Sequence, residues 1–227
     1  MGIGSNIGKA LLSQAPDMAP GAAVSMLRSI LGFAIEGGNG LPGARQAAGK
    51  TLTKSDGNVE QAINSLVNQH IAMAGAQGFV SNLGGIVTLA VTIPANISGV
   101  AIVQARMVAT IAHLRGYDLD DQRVRTAILA TLLGQREVDS LIHDKTIPTT
   151  PMGIATAPVS DADLEKTVAR HLINVLMGQV AGKKLPVFVS KRVPVLGGGV
   201  GATTDGFTTW SVARYARKQF PTRRPRS

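Results

Sequence analysis

The sequence predicts an all-α protein: one multi-helix, bundle-like domain around a Gly/Ala-rich apolar helical hairpin, with little or no sheet. Three observations predict it. Apolar residues recur at intervals of three and four along most of the chain. Pro and Gly fall between those stretches, where helices start and stop. Period-two alternation occurs in one short run, Pro186 to Pro194, with no partner strand elsewhere. At 227 residues the chain is long enough to bury a substantial core.

In chain order, residues 5–14 read as a short amphipathic helix closed by Pro16 and Pro20. Pro20 suits a first helical turn, and Val24, Leu27, Ile30, Leu31 and Ala34 then share one face. Gly37-Gly38-Asn39-Gly40 and Pro42 break the chain. This break separates an N-terminal helical arm (1–50) from a main helical domain (51–220), and 221–227 form a basic tail. Ser55-Asp56 is expected to cap the next helix, with Glu60 near its positive end. Val59, Ile63, Leu66, Val67, His70 and Ala74 follow on one face. Pro94 is expected to open a helix from Ala95 to Arg115, with Ile97, Val100, Val103, Met107, Ile111 and Leu114 facing one way and Gly116 as its stop. Asp118, Asp120 and Asp121 precede a helix carrying Val124, Ile128, Leu129, Leu132 and Leu133. Residues 145–158 read as a loop. Ser160 with Asp163 resembles a capping box before Leu164, Val168, Leu172, Val175 and Leu176. A Gly-rich turn, Gly197 to Gly201, leads into a last helix from about Ala202 to Phe220.

Between Gln61 and Ala105 there is no Asp, Glu, Lys or Arg. By length this stretch holds two candidate membrane spans around Gly84-Gly85. By content the first fails, because it carries Gln61, Asn64, Asn68, Gln69, His70, Gln77 and Asn82. The second carries Thr88, Thr92, Asn96, Ser98 and Gln104. The reading is therefore a buried or partly lipid-touching hairpin, packed closely through Gly75, Gly78, Gly84, Gly85 and Pro94. Insertion on demand and true spanning are the alternatives.

Charge is distributed unevenly. The chain carries 23 basic and 14 acidic residues, a net +9, and the two signs balance up to residue 182. From Lys183 onward Asp205 is the single acid, so the excess belongs to the C-terminal region. That pattern calls for an anionic partner surface. The absence of cysteine excludes disulfides, thiolate metal sites and a cysteine nucleophile. The first residues lack the charged and apolar regions of a secretory signal, so cytoplasmic synthesis without export is expected.

Candidate catalytic and ligand sites are thin. Gly197-Gly198-Gly199-Val200-Gly201-Ala202 contains G-x-G-x-x-A, but no acid follows Asp205 to meet a ribose; a tight turn between helices fits better. His143 and Asp139 share a helical face without a second histidine, so a surface helix end fits better than a metal site. His70 and His113 lie near apolar stripes and read as satisfied core or interface residues, although His70 in an uncharged hairpin is also placed to sense pH. Asp118, Asp120 and Asp121 lack the glycine and closing glutamate of a calcium loop. There is no G-x-S-x-G elbow. No enzyme, cofactor or metal is expected.

The last helix is more informative. At 100° per residue, Phe207, Trp210, Arg214, Arg217 and Lys218 fall within about one third of the circumference. Val212, Ala213, Tyr215, Ala216 and Phe220 take the other side. Aromatic and basic residues on one face are how an interfacial helix meets an anionic membrane surface, and Arg223, Arg224 and Arg226 extend the charge. The competing reading is a solvated face in which Arg214 and Arg217 stack on Trp210. Nucleic acid is disfavoured as a partner, since stacking aromatics are few and no binding motif is present.

Gly78-Phe79-Val80, Gly84-Gly85, Pro94, and Gln104 to Ala112 running into Arg115-Gly116-Tyr117-Asp118 resemble the EcsC protein family, as do Val193-Pro194-Val195-Leu196-Gly197 and Gly201-Ala202 before the last helix. The resemblance covers residues 55–220, with the aromatic Tyr117 after the glycine where the family's pattern has it before. It implies a bacterial helical domain with membrane association and supplies no catalytic residues. The expectation is a non-enzymatic protein, peripheral at the inner membrane face. The alternatives are a homo-oligomeric or protein-binding scaffold, and a lipid-binding protein with a cavity between helices.

Overall fold

The computed structural model describes residues 20–38, 40–75, 95–180 and 204–223. Among these the chain forms nine helices and one two-residue hairpin. They are α1 (Pro20–Glu36), β1 (Gly37–Gly38), β2 (Leu41–Pro42), α2 (Ala44–Lys54), α3 (Val59–Gly75), α4 (Ala95–Leu114), α5 (Gln122–Leu132), α6 (Gln135–His143), α7 (Pro151–Ala155), α8 (Ala162–Val180) and α9 (Thr204–Gln219). The all-α class holds. The helix candidate at 5–14, the extended run at 186–194 and the glycine turn at 197–201 lie outside the described residues.

Helix α4 is the axis. Helices α1, α2 and α9 pack on it most extensively, and α3, α5 and α8 complete the enclosure. Every side chain from Ala101 to Ala112 is buried. The sequence's single stripe for this helix was too narrow: Ala101, Ala105, Ala109 and Ala112, off that stripe, are as buried as Met107 and Ile111. Their small size lets neighbouring helices approach from several sides.

One core runs from Ala23 in α1 to Phe220 beyond α9. The expected stripe of α1 is buried in full and packs against α4 and α8. The boundary expected at residue 50 falls inside α2.

Helix ends follow local chemistry. Ser55-Asp56 closes α2 instead of opening α3. Asp56 adopts a left-handed φ of 50°, and the Gly57 amide donates to the Leu52 carbonyl at 3.0 Å, a Schellman-type ending. The cap of α3 is Asn58, whose Oδ1 accepts from the Gln61 amide at 3.0 Å. Gly116, at φ 88°, ends α4 in the same way. Its amide donates to the His113 carbonyl, and the Tyr117 amide donates to the Ala112 carbonyl, each at 3.0 Å. Asp121 caps α5, accepting from the Arg123 amide at 2.8 Å. Gly134, at φ 83°, separates α5 from α6. The expected loop at 145–158 contains α7, with Thr150 capping it and Pro151 in its first turn. Helix α8 starts one residue later than Ser160 would place it, because the Asp161 carboxylate accepts from the Asp163 and Leu164 amides at 2.9 and 3.0 Å.

The hairpin between α1 and α2 pairs Gly37 with Pro42 and Gly38 with Leu41. Gly43 lies so close to the end of α1 that a Cβ there would overlap the Ile35 and Glu36 carbonyl groups. Gly43→Ala is expected to lower the urea-unfolding free energy by about 2 kcal/mol. Gly40, at φ 82° with open space around it, should cost about 1 kcal/mol on the same change, from backbone conformation alone.

Candidate functional site

Helix α9 divides as its periodicity predicts. Val212, Ala213, Tyr215, Ala216 and Phe220 are buried, in a helix that packs chiefly on α3 and α4. On the other side Trp210 is 41% exposed, Arg214 and Lys218 are exposed, and Arg217 is partly buried. Arg214 sits over the Trp210 ring, its Cζ 5.6 Å from the ring centroid, so this half of the expected cation–π arrangement is present. Arg217 is more enclosed than Arg214. Burial lowers its pKa, with Glu60 opposing and Arg115 reinforcing that shift.

Beyond α9 the chain is tied back onto the end of α4. The Arg223 amide donates to the Arg115 carbonyl at 2.8 Å, and the Arg223 guanidinium lies 5.0 Å from the centre of the Tyr117 ring. Tyr117 meets Phe220 edge-on, centroids 5.1 Å apart. Arg115 pairs with Glu60 at 2.7 Å. Of the sequence-predicted contact residues, Trp210, Arg214, Arg217 and Lys218 thus share one arc, and Arg223 lies at the helix end on Tyr117. Phe207 belongs to α9, but its side chain lies outside the described residues, as do Arg224 and Arg226. Gly75 ends α3; Gly78, Gly84, Gly85 and Pro94 lie outside.

A family model described as the EcsC protein family matches residues 3–224. The chain belongs to the EcsC protein family. The match is wider than the 55–220 that the motifs carry, and takes in α1 and the hairpin. No curated protein and no solved structure matches the chain. Among the described residues of this EcsC chain no helix is long and apolar enough to cross a membrane, and no group of three or more potential metal ligands comes together. His143 is exposed and shares a hydrogen bond with Asp144 at 3.0 Å.

Two polar features of this EcsC protein escaped the sequence. Arg28 on α1 forms a two-pronged ion pair with Glu165 on α8, at 2.7 and 2.6 Å, and the Glu165 side chain is buried. The pair lies in an open groove of about 530 Å³ lined also by Ser25, Ser29 and Lys166. The residues are 137 positions apart, and no local pattern announces them. The second feature is Arg106, 8% exposed in the middle of α4. It donates to the Pro42 carbonyl at 2.9 Å, while its Nε has no partner.

His70 on α3 is 1% exposed. Its Nδ1 lies 2.8 Å from the Leu66 carbonyl, which can only accept, so Nδ1 carries the proton in the neutral ring. Nε2 has no partner. Burial lowers the pKa of His70 from 6.5 to about 4, the Leu66 bond opposes the shift, and the charge of Arg106 adds to it. A base held below its unfolded value contributes stability that is fully present above pH 6.5 and is lost as pH falls toward 4, where the unfolded chain takes up the proton first. Unfolding free energy should therefore drop by about 2 kcal/mol between pH 7.5 and 5 through this group. His70→Phe should flatten that part of the denaturant-midpoint profile.

Proposed function

We propose that this EcsC-family protein is a non-enzymatic, peripheral membrane protein that contacts an anionic lipid surface through the exposed arc of α9. The observation that carries the reading is a large aromatic, Trp210, 41% exposed on the arc with Arg214, Arg217 and Lys218, while the opposite side of the same helix is buried in the core. An indole is most stable at the boundary between headgroups and acyl chains. Each basic residue near an anionic leaflet contributes about 1 kcal/mol, so this arc with Arg223, Arg224 and Arg226 supports reversible attachment. The contact of Arg214 with Trp210 is compatible with it, because the guanidinium can engage a phosphate while its plane remains over the ring. On this reading the protein works at the cytoplasmic face of the inner membrane, where anionic lipid is available.

Sedimentation with vesicles tests it. The full chain should pellet with vesicles containing phosphatidylglycerol and remain in the supernatant with neutral phosphatidylcholine, and added salt should weaken the first. The double change Arg214→Glu with Lys218→Glu should abolish pelleting while leaving the helical circular dichroism unchanged. Trp210→Ala should weaken it by about tenfold. Equal binding to both vesicle types, or binding to neither, would sink the proposal.

A further inference from the structure

Deep in the bundle, away from the exposed arc of α9, Arg106 and His70, each with an orphan nitrogen, stand at one level of two neighbouring helices. Helices α3 and α4 pack together, and Arg115 at the end of α4 pairs with Glu60 at the start of α3, so the two run antiparallel. From that pair, ten residues along α3 reach His70 and nine back along α4 reach Arg106. At 1.5 Å per residue these are advances of about 15 and 14 Å. The charge of Arg106 accordingly acts on the His70 ring, and the Pro42 carbonyl of the hairpin holds the guanidinium from a third direction.

The chemistry of the two orphans is complementary. Arg106 keeps its charge when buried and presents an unpartnered Nε–H donor. Neutral His70, its proton on Nδ1, presents an unpartnered lone pair at Nε2. Both side chains are more than nine-tenths buried. None of the ion pairs among the described residues includes Arg106. From Gln61 to Tyr117 the sequence of α3, α4 and their connection holds no acid, and neither does 37–54, which supplies the hairpin and α2. The one acid of α3, Glu60, is spent on Arg115 at the other end. A water molecule would satisfy both nitrogens but leave the charge unbalanced; a carboxylate would balance the charge but has no hydrogen to offer Nε2. A phosphate group in its protonated, monoanionic form does both, accepting from Arg106 Nε–H and donating its own hydrogen to His70 Nε2.

We propose that Arg106 and His70, with the Pro42 carbonyl fixing the guanidinium, form an internal binding site for a phosphate monoester or inorganic phosphate. The site is independent of the lipid contact proposed for α9 and stands or falls separately from it.

The experiment uses the full chain in chloride buffer at constant ionic strength and pH 7.5, with inorganic phosphate and, in a parallel arm, a short-chain phosphatidate as probes. Saturable binding should raise Tm by about 5 °C at a hundredfold excess over Kd and shift the ring-nitrogen NMR resonances of His70. Arg106→Met, which removes the charge and keeps the apolar stem, should fold and lose both effects. His70→Phe should weaken the Tm response at least tenfold in apparent affinity. A response to phosphatidate in place of inorganic phosphate supports the proposal and makes a lipid headgroup the source. Silence toward both probes, an equal Tm response in Arg106→Met, or a His70 resonance unmoved at saturation would overturn it.

Discussion

Because α4 is enclosed on every side from Ala101 to Ala112, most of the molecule follows from what that helix can accommodate. A central helix must be thin enough for its neighbours to reach one another across it, which the alanines at 101, 105, 109 and 112 allow. It must also satisfy polar groups internally or through specific partners. Thr110 does so by donating to the Arg106 carbonyl at 2.7 Å. Arg106 reaches the Pro42 carbonyl. Charge that leaves this axis does so at its end, where Arg115 meets Glu60. The last five residues of the long uncharged stretch, Ala101 to Ala105, lie inside that enclosed axis.

The end of α4 then fixes the position of α9. The turn at Gly116 swings Tyr117 into the interior, Tyr117 receives Phe220 on its edge, and the Arg115 carbonyl receives the Arg223 amide. With its C-terminal end anchored, α9 has one rotational setting that buries Val212, Tyr215 and Phe220 together. That setting turns Trp210, Arg214 and Lys218 outward. The exposed arc is a by-product of core packing, and its orientation is set by the buried side of the helix.

The fold was legible where apolar spacing carries it. The stripes of α1, α3 and α5 and the two faces of α9 are where a 3.6-residue period puts them. Legibility failed where one residue type serves two ends of a helix. Ser and Asp start helices by side-chain capping, yet Asp also tolerates the left-handed backbone that stops them, and at Asp56 the second use wins. The five residues of α7 are too few to show a period. The α4 stripe is too narrow in the sequence because alanine, small and only weakly apolar, does not mark a face although it is the residue that closes one. For the candidate sites, the arc of α9 is local information and could be read directly. The pairing of Arg28 with Glu165 and the burial of Arg106 and His70 depend on how helices are arranged, and an arginine or histidine beside an apolar stripe looks the same in sequence whether its tip is solvated or sealed.

The tie between the Arg223 amide and Arg115 has a geometric corollary for the basic tail. Arg226 follows the anchored Arg223 by three residues, a chain length of about 10 Å when fully extended. Charges on a long free tether search a wide hemisphere and contribute mainly by number. A leash this short limits a charge by its length alone, so location matters more than count. Moving the same arginines a dozen residues outward would preserve the composition and the isoelectric point, and would still make an electrostatically different molecule.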